Sequence, residues 1–149
     1  MSESVSGGCL CGSVRYELSS VPESTYLCHC RNCQKAHSAP YAALSILPPE
    51  NVTITQGEVA RYERTSDGGN TTYRDFCSNC GTQLFSGSLV FSQIMSVKVI
   101  TFDNPNLVNP SQHVWVESKV DWVCMNDQLP QNQTQQSSEE FSRELDEDR

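Results

Sequence analysis

The sequence predicts a mainly β domain built from short antiparallel strands, with little helix. Three observations predict it. Apolar and polar residues alternate with a period of two, as over residues 13–19, where Val14, Tyr16 and Leu18 oppose Arg15 and Glu17. Turn formers punctuate the chain at short intervals: Pro48-Pro49, Gly57, Asp67-Gly68-Gly69, Gly87 and Asn104-Pro105. No stretch of the body carries the sustained 3.6-residue periodicity of a helix, which leaves an antiparallel all-β arrangement.

Taken in order, strands are expected over residues 13–19, 41–47, 51–56, 59–63, 71–76, 82–86, 92–100 and 113–118. One short helical turn is expected after Cys30, over residues 31–37. The 149 residues, 37% of them hydrophobic, suit one domain with a modest core. We place that domain at residues 1–125 and an acidic, Gln/Ser-rich tail at 126–149. From Pro130 onward only Phe141 and Leu145 are strongly apolar, too little to offset the entropy of ordering. Disorder is the expectation there, with a short helix over residues 137–145 as the one candidate element.

The formal net charge of −8 is a poor match to nucleic acid, which calls for clustered Lys and Arg. No run approaches the roughly 18 apolar residues of a membrane helix, and no charged-then-apolar signal opens the sequence. Neither a nucleic-acid nor a membrane partner is expected. The cytoplasm is the expected compartment, with the nucleus as an alternative.

Eight cysteines need an explanation. Disulfides require an oxidising compartment, to which nothing here points. A redox dithiol needs one C-x-x-C and not a crowd. Metal binding accounts for the spacing. Cys9-Leu10-Cys11 and Cys77-Ser78-Asn79-Cys80 are each followed at once by a glycine, Gly12 and Gly81. In such a knuckle the chain turns sharply beneath the metal, and glycine permits the positive φ the turn needs. Each pair supplies two sulfurs, and two pairs close a tetrahedral, structural Cys₄ zinc site.

Cys28, Cys30 and Cys33 remain, with the distant Cys124. Three thiolates on one turn repel one another without a cation, so a second zinc is the natural occupant. Three protein ligands and an open position mark a catalytic zinc. The competing reading is a second closed site, completed by His29, His37, His113 or Cys124. Zinc with three thiolates carries a net −1 and is a weaker Lewis acid than a His₃ site. It suits a soft ligand, so the favoured chemistry is that of sulfur: adding a thiol to a carbonyl or cleaving the adduct.

"GGCLCGSVRY", "CHCRNCQK", "FCSNCGTQLF" and "HVWVESKVDW" occur in that order across residues 5–123. Together they resemble the glutathione-dependent formaldehyde-activating enzyme family, which also includes the centromere protein V group. The resemblance implies a β-tent fold of antiparallel sheets. It also implies a structural zinc on Cys9, Cys11, Cys77 and Cys80, and a catalytic zinc on Cys28, Cys30 and Cys33. The implied activity is that of a carbon–sulfur lyase, joining glutathione and formaldehyde to S-hydroxymethylglutathione or reversing that step.

Glutathione carries two carboxylates, for which Arg31 and Lys35 are candidate cations; both could equally offset the charge of the thiolate site. Gln34 could hydrogen-bond a zinc-bound group or be an ordinary turn residue. His113 is a candidate acid–base group, a donor behind the site, or a satisfied core histidine. Trp115 and Trp122 are expected in the core, and Phe76 and Phe85 over the structural zinc. The function expected is therefore zinc-dependent carbon–sulfur bond cleavage in a small-molecule thiol–aldehyde adduct. The alternative is a non-catalytic, zinc-stabilised binding module whose second site is closed.

Overall fold

The structure, a computed structural model, describes residues 4–135. In chain order the elements are β1 (Val5–Gly8), β2 (Arg15–Leu18), β3 (Ser24–Cys28), α1 (Arg31–His37), β4 (Ala42–Leu47), β5 (Val52–Gln56), β6 (Val59–Thr65), β7 (Thr71–Cys77), β8 (Gln83–Ser88), β9 (Met95–Lys98) and β10 (His113–Val114). The strands form two sheets, one in the order β1-β2-β5 and one in the order β10-β3-β4-β9-β8-β7-β6. All neighbours are antiparallel except β10 and β3, which run parallel. The expected class, mainly β with one short helix, is what the chain adopts. No helix of the described residues is long and apolar enough to cross a membrane.

Two strands were not anticipated. β1 carries two glycines and too little alternation to register. β3 has four consecutive buried residues, because both faces of the large sheet are covered there, and so it shows no period of two. The expected strand at 113–118 shrinks to two residues. Trp115 takes a left-handed φ of 58°, and residues 116–118 coil into a 3₁₀ turn.

Within the stretch whose composition argues for disorder, residues 127–135 pair with β10 and the turn after it. The His113 N–H donates to Pro130 O (2.8 Å), Asn132 N–H donates to His113 O (2.9 Å), and Val116 N–H donates to Asn132 O (3.0 Å). This stretch has few apolar side chains, but β10 is an edge strand whose free backbone groups need partners, and the stretch supplies them. The candidate helix over residues 137–145 lies outside the described residues.

The main core lies between the sheets. Val5, Val14, Tyr16 and Leu18 on the small-sheet side meet Leu84, Phe85 and Val97 from the large one, all nearly inaccessible to water. The Tyr16 and Phe85 rings pack edge to face with centroids 5.1 Å apart. The Tyr16 hydroxyl is satisfied by Thr101 Oγ1 at 2.7 Å. Phe85 therefore belongs to the inter-sheet core, where it replaces the expected position over a metal. Because it joins both sheets, Phe85→Ala is expected to cost about 3–5 kcal/mol in a denaturant titration. A loss below about 1 kcal/mol would mean the sheets do not meet through this ring.

Candidate metal centres and the adjoining cavity

Cys9 and Cys11 lie on the turn between β1 and β2, and Cys77 and Cys80 on the turn between β7 and β8. The four sulfurs lie within 4.8 Å of one another. Cys9 Sγ to Cys11 Sγ is 3.6 Å, and Cys11 Sγ to Cys77 Sγ is 3.8 Å. A tetrahedron with Zn–S bonds of about 2.3 Å has an edge of about 3.8 Å, so these sulfurs fit a closed S₄ site. The turns are shaped by Gly12 (φ 80°) and Gly81 (φ 79°), the positive φ expected of them. Donors converge on the sulfurs. Val14 N–H reaches Cys9 Sγ at 3.2 Å, and Asn79 Nδ2 reaches Cys11 Sγ at 3.2 Å. Hydrogen bonds from Ser13 and Asn79 lower the Cys11 thiol to about 5, which favours the thiolate a metal requires.

Cys28 ends β3, Cys30 caps α1 and Cys33 lies in the first turn of that helix. Their sulfurs too lie within 4.8 Å of one another. The Cys33 N–H donates to Cys30 Sγ at 3.3 Å. The Cys33 thiol is pushed down by hydrogen bonds from Cys28 and Cys30, with the positive charges of Lys98 and Arg74 adding to the effect. Cys28 is pushed up by the same mutual contacts and by burial. Without a cation the three cannot ionise together. Both clusters could hold a metal ion, and all-sulfur donors are consistent with zinc. No histidine or fourth cysteine joins the second cluster among the described residues.

The period of two explains what surrounds this cluster. On the face of the large sheet turned away from the main core, register aligns Cys28 with Ala42, then Tyr26 with Leu44 and Lys98, then Ile46 with Ser96, Ser86 and Arg74. A cavity of about 450 Å³ opens on this face, and Cys30 and Asn32 from the start of α1 form part of its wall. Lys98 is 3% exposed, and its Nζ donates to Ser86 Oγ (2.6 Å) and Ser96 Oγ (3.2 Å). Burial lowers this ammonium to about 8, opposed chiefly by Cys33. A buried ammonium requires an anionic neighbour, and the thiolate cluster supplies one.

The residues singled out in the sequence separate into two groups. Arg31, Gln34 and Lys35 do not line the cavity. Arg31 pairs with Gln34 Oε1. Gln34 is buried, and its Nε2 donates to His29 O (2.6 Å) and Ser118 O (2.9 Å), tying α1 to the chain after β10. Lys35 lines two other depressions of the surface, one of which shares Asn32 and Arg74 with the cavity. His113 is 1% exposed. Its Nδ1 meets His29 Nε2 at 2.8 Å, and its Nε2 meets Asp127 Oδ2 at 2.8 Å. The His29 ring thus turns away from the thiols between which it sits in sequence. Its Nδ1 is buried without a partner. Burial, with His113 beside it, lowers that imidazole to about 4.

His37 lies near Cys33 and Lys98 with its Nε2 buried and unpaired, but outside the cluster. Cys124 is exposed. Trp122 is 75% exposed, against the expected core position, because the segment after Lys119 leaves the sheets. Phe76 lies not over the first cluster but in the depression beside Lys35. Trp115 is a wall of the cavity.

Sequence reasoning missed Lys98, Arg74 and Asp127. Lys98 had a signal, a lone charge inside the apolar run "VKVI". Arg74 and Asp127 had none, since each depends on pairings between distant segments. Gln34→Ala would remove this partner from the buried His29 carbonyl and the half-buried Ser118 carbonyl. We expect a loss of about 1–3 kcal/mol in unfolding free energy, read by thermal or denaturant melts, with the affinity for thiol ligands unchanged. An unchanged melt would show that Gln34 does not brace the helix.

No curated protein is significantly similar to the chain in sequence. Among solved structures, the crystal structure of a Rhodobacter sphaeroides protein superposes with a TM-score of 0.52, covering 85% of this chain and 98% of that one at 17% identity. That likeness concerns the fold alone. The profile of the family described as glutathione-dependent formaldehyde-activating enzyme matches residues 4–118. With that span covering most of its 149 residues, the chain belongs to the glutathione-dependent formaldehyde-activating enzyme family.

Proposed function

We propose that the chain is a zinc-dependent carbon–sulfur lyase acting on a thiol–aldehyde adduct, in the simplest case that of glutathione and formaldehyde. One observation carries this reading: Cys30 belongs to the three-thiol cluster and also lines the 450 Å³ cavity. In this reading Cys9, Cys11, Cys77 and Cys80 hold a structural zinc, while Cys28, Cys30 and Cys33 hold a second one. A zinc on three thiolates supplies a soft Lewis acid with one open coordination place, suited to sulfur.

The reaction needs no oxidant. In the cleavage direction the C–S bond breaks, the hydroxyl of the hemithioacetal loses its proton as its carbon becomes a carbonyl, and the sulfur leaves as a thiol after gaining a proton. The chain's own residues hold the reacting group and exclude water. Tyr26, Leu44, Ile46 and Trp115 wall the cavity, and Lys98 offsets the net negative charge of the site. His113 does not reach the cavity. Its proposed part is to orient His29 behind the cluster through the Asp127–His113–His29 chain of hydrogen bonds. The eight free thiols suit a reducing compartment such as the cytoplasm.

Metal analysis with zinc-edge spectroscopy tests the assignment. Two zincs are expected, one with four sulfurs and one with three sulfurs and an exchangeable ligand that glutathione replaces. Two closed shells would instead favour a non-catalytic binding module. Cys30→Ser is expected to stay folded, lose one zinc and lose at least about 100-fold in adduct turnover, as for other outright losses of an essential site group. Cys77→Ser is expected to lose the fold itself, since structural zinc binding is folding free energy of order 10 kcal/mol. A well-folded, soluble Cys77→Ser protein would refute its structural role.

A further inference from the structure

The cavity beside the three-thiol cluster is unevenly furnished. Among the described residues Arg74 is the one cation of its lining, and no Asp or Glu belongs to it. Among the described residues Arg74 makes no ion pair, and its Nη1 is buried with no hydrogen-bond partner there. A buried guanidinium N–H without an acceptor is costly, and its planar fork matches a carboxylate. Much of the remaining wall is apolar: Tyr26, Leu44, Ile46, Phe91, Ile94 and Trp115.

Arg74 bears on Cys33 together with Lys98, but the formal charges of the cluster balance without it. Zinc with three thiolates carries −1, and the buried Lys98 ammonium brings the sum to zero. Arg74 is left as surplus positive charge on the cavity wall, two strands from Lys98 in the sheet. Glutathione fits such a wall poorly. It brings two carboxylates and an ammonium, whereas the described residues of the cavity offer one cation and no acid. The second carboxylate and the ammonium would find only neutral polar groups, such as Asn32, Asn70 and Ser88, and no opposite charge among the described residues.

We propose that Arg74 is the carboxylate-binding residue of this cavity and that the preferred substrates are adducts of thiols bearing a single carboxylate and an apolar body. The proposal rests on the reading of the three-thiol cluster as an open metal site. It names the substrate class of that site, and glutathione becomes a secondary ligand.

Thiol binding to the protein with cobalt(II) in both metal sites tests this, because a thiolate joining the metal changes the sulfur-to-cobalt charge-transfer band. The probes are 3-phenyl-2-sulfanylpropanoate, its uncharged primary amide, and glutathione. We expect the acid to bind at least about tenfold more tightly than the amide, as one charge-assisted hydrogen-bonded pair allows, and more tightly than glutathione. Arg74→Gln should reduce the acid to the affinity of the amide while leaving the band of the thiol-free protein unchanged. Arg74→Lys, which keeps the charge but not the fork, should retain part of the preference.

Equal affinities for acid and amide in the unaltered protein would overturn the proposal, as would a preference that survives Arg74→Gln or tighter binding of glutathione. In each of those cases the open metal site would stand. If no thiol perturbs the band at all, the open-site reading itself fails and the proposal fails with it.

Discussion

Two turns, one from each sheet, bring four thiols within 4.8 Å of one another, and the geometry of the domain follows from that junction. The turn between β1 and β2 belongs to the small sheet, and the turn between β7 and β8 to the large one. A metal on these four sulfurs would close a loop from residue 9 to residue 80, more than half of the described chain. Cross-links over long loops remove much freedom from the unfolded state. The inter-sheet core includes Tyr16, Leu84, Phe85 and Val97, and a metal on the four sulfurs would tie the two sheets together beside it.

Once the sheets are fixed, the larger one serves two purposes at once. β4 sends Ala43 and Leu47 to the main core and Ala42, Leu44 and Ile46 to the opposite face. β9 places Val97 in the core and Lys98 beneath the thiol cluster. Strict alternation therefore makes one side a hydrophobic seal and the other an electrostatic environment. A lysine buried to 3% exposure would be a liability in an ordinary sheet. Here two serine hydroxyls hold its ammonium, and its charge favours the ionised form of Cys33.

Much of this was legible in the sequence, for reasons that can be named. The cysteine pairs with trailing glycines reveal the first cluster because ligand spacing and backbone φ are local properties. The three-cysteine run reveals the second for the same reason, and residues 31–37 form the one helix expected there. What could not be read depends on pairings across the sheet. Arg74 reaches the cavity only because β7 pairs with β8 in a particular register. β3 looked featureless because both of its faces are covered. Asp127 lay in a stretch whose composition argues for disorder, and it is held because an edge strand of two residues leaves backbone groups in want of partners. Composition describes what a segment can bury, and carries no information about which open edge it will meet.

The place of residues 127–135 in the chain gives the molecule an order of assembly. During synthesis the residues of the four-sulfur junction have emerged by residue 80, and the inter-sheet core is complete by Val108. The three thiols are present from residue 33, but Asp127, which anchors His113, and Gln135, which walls the cavity beside Tyr26, emerge last. A vectorially made chain thus acquires a rigid scaffold before the surroundings of its reactive sulfurs are finished. Until residues 127–135 join β10, the cavity lined by Cys30 lacks its wall at Gln135.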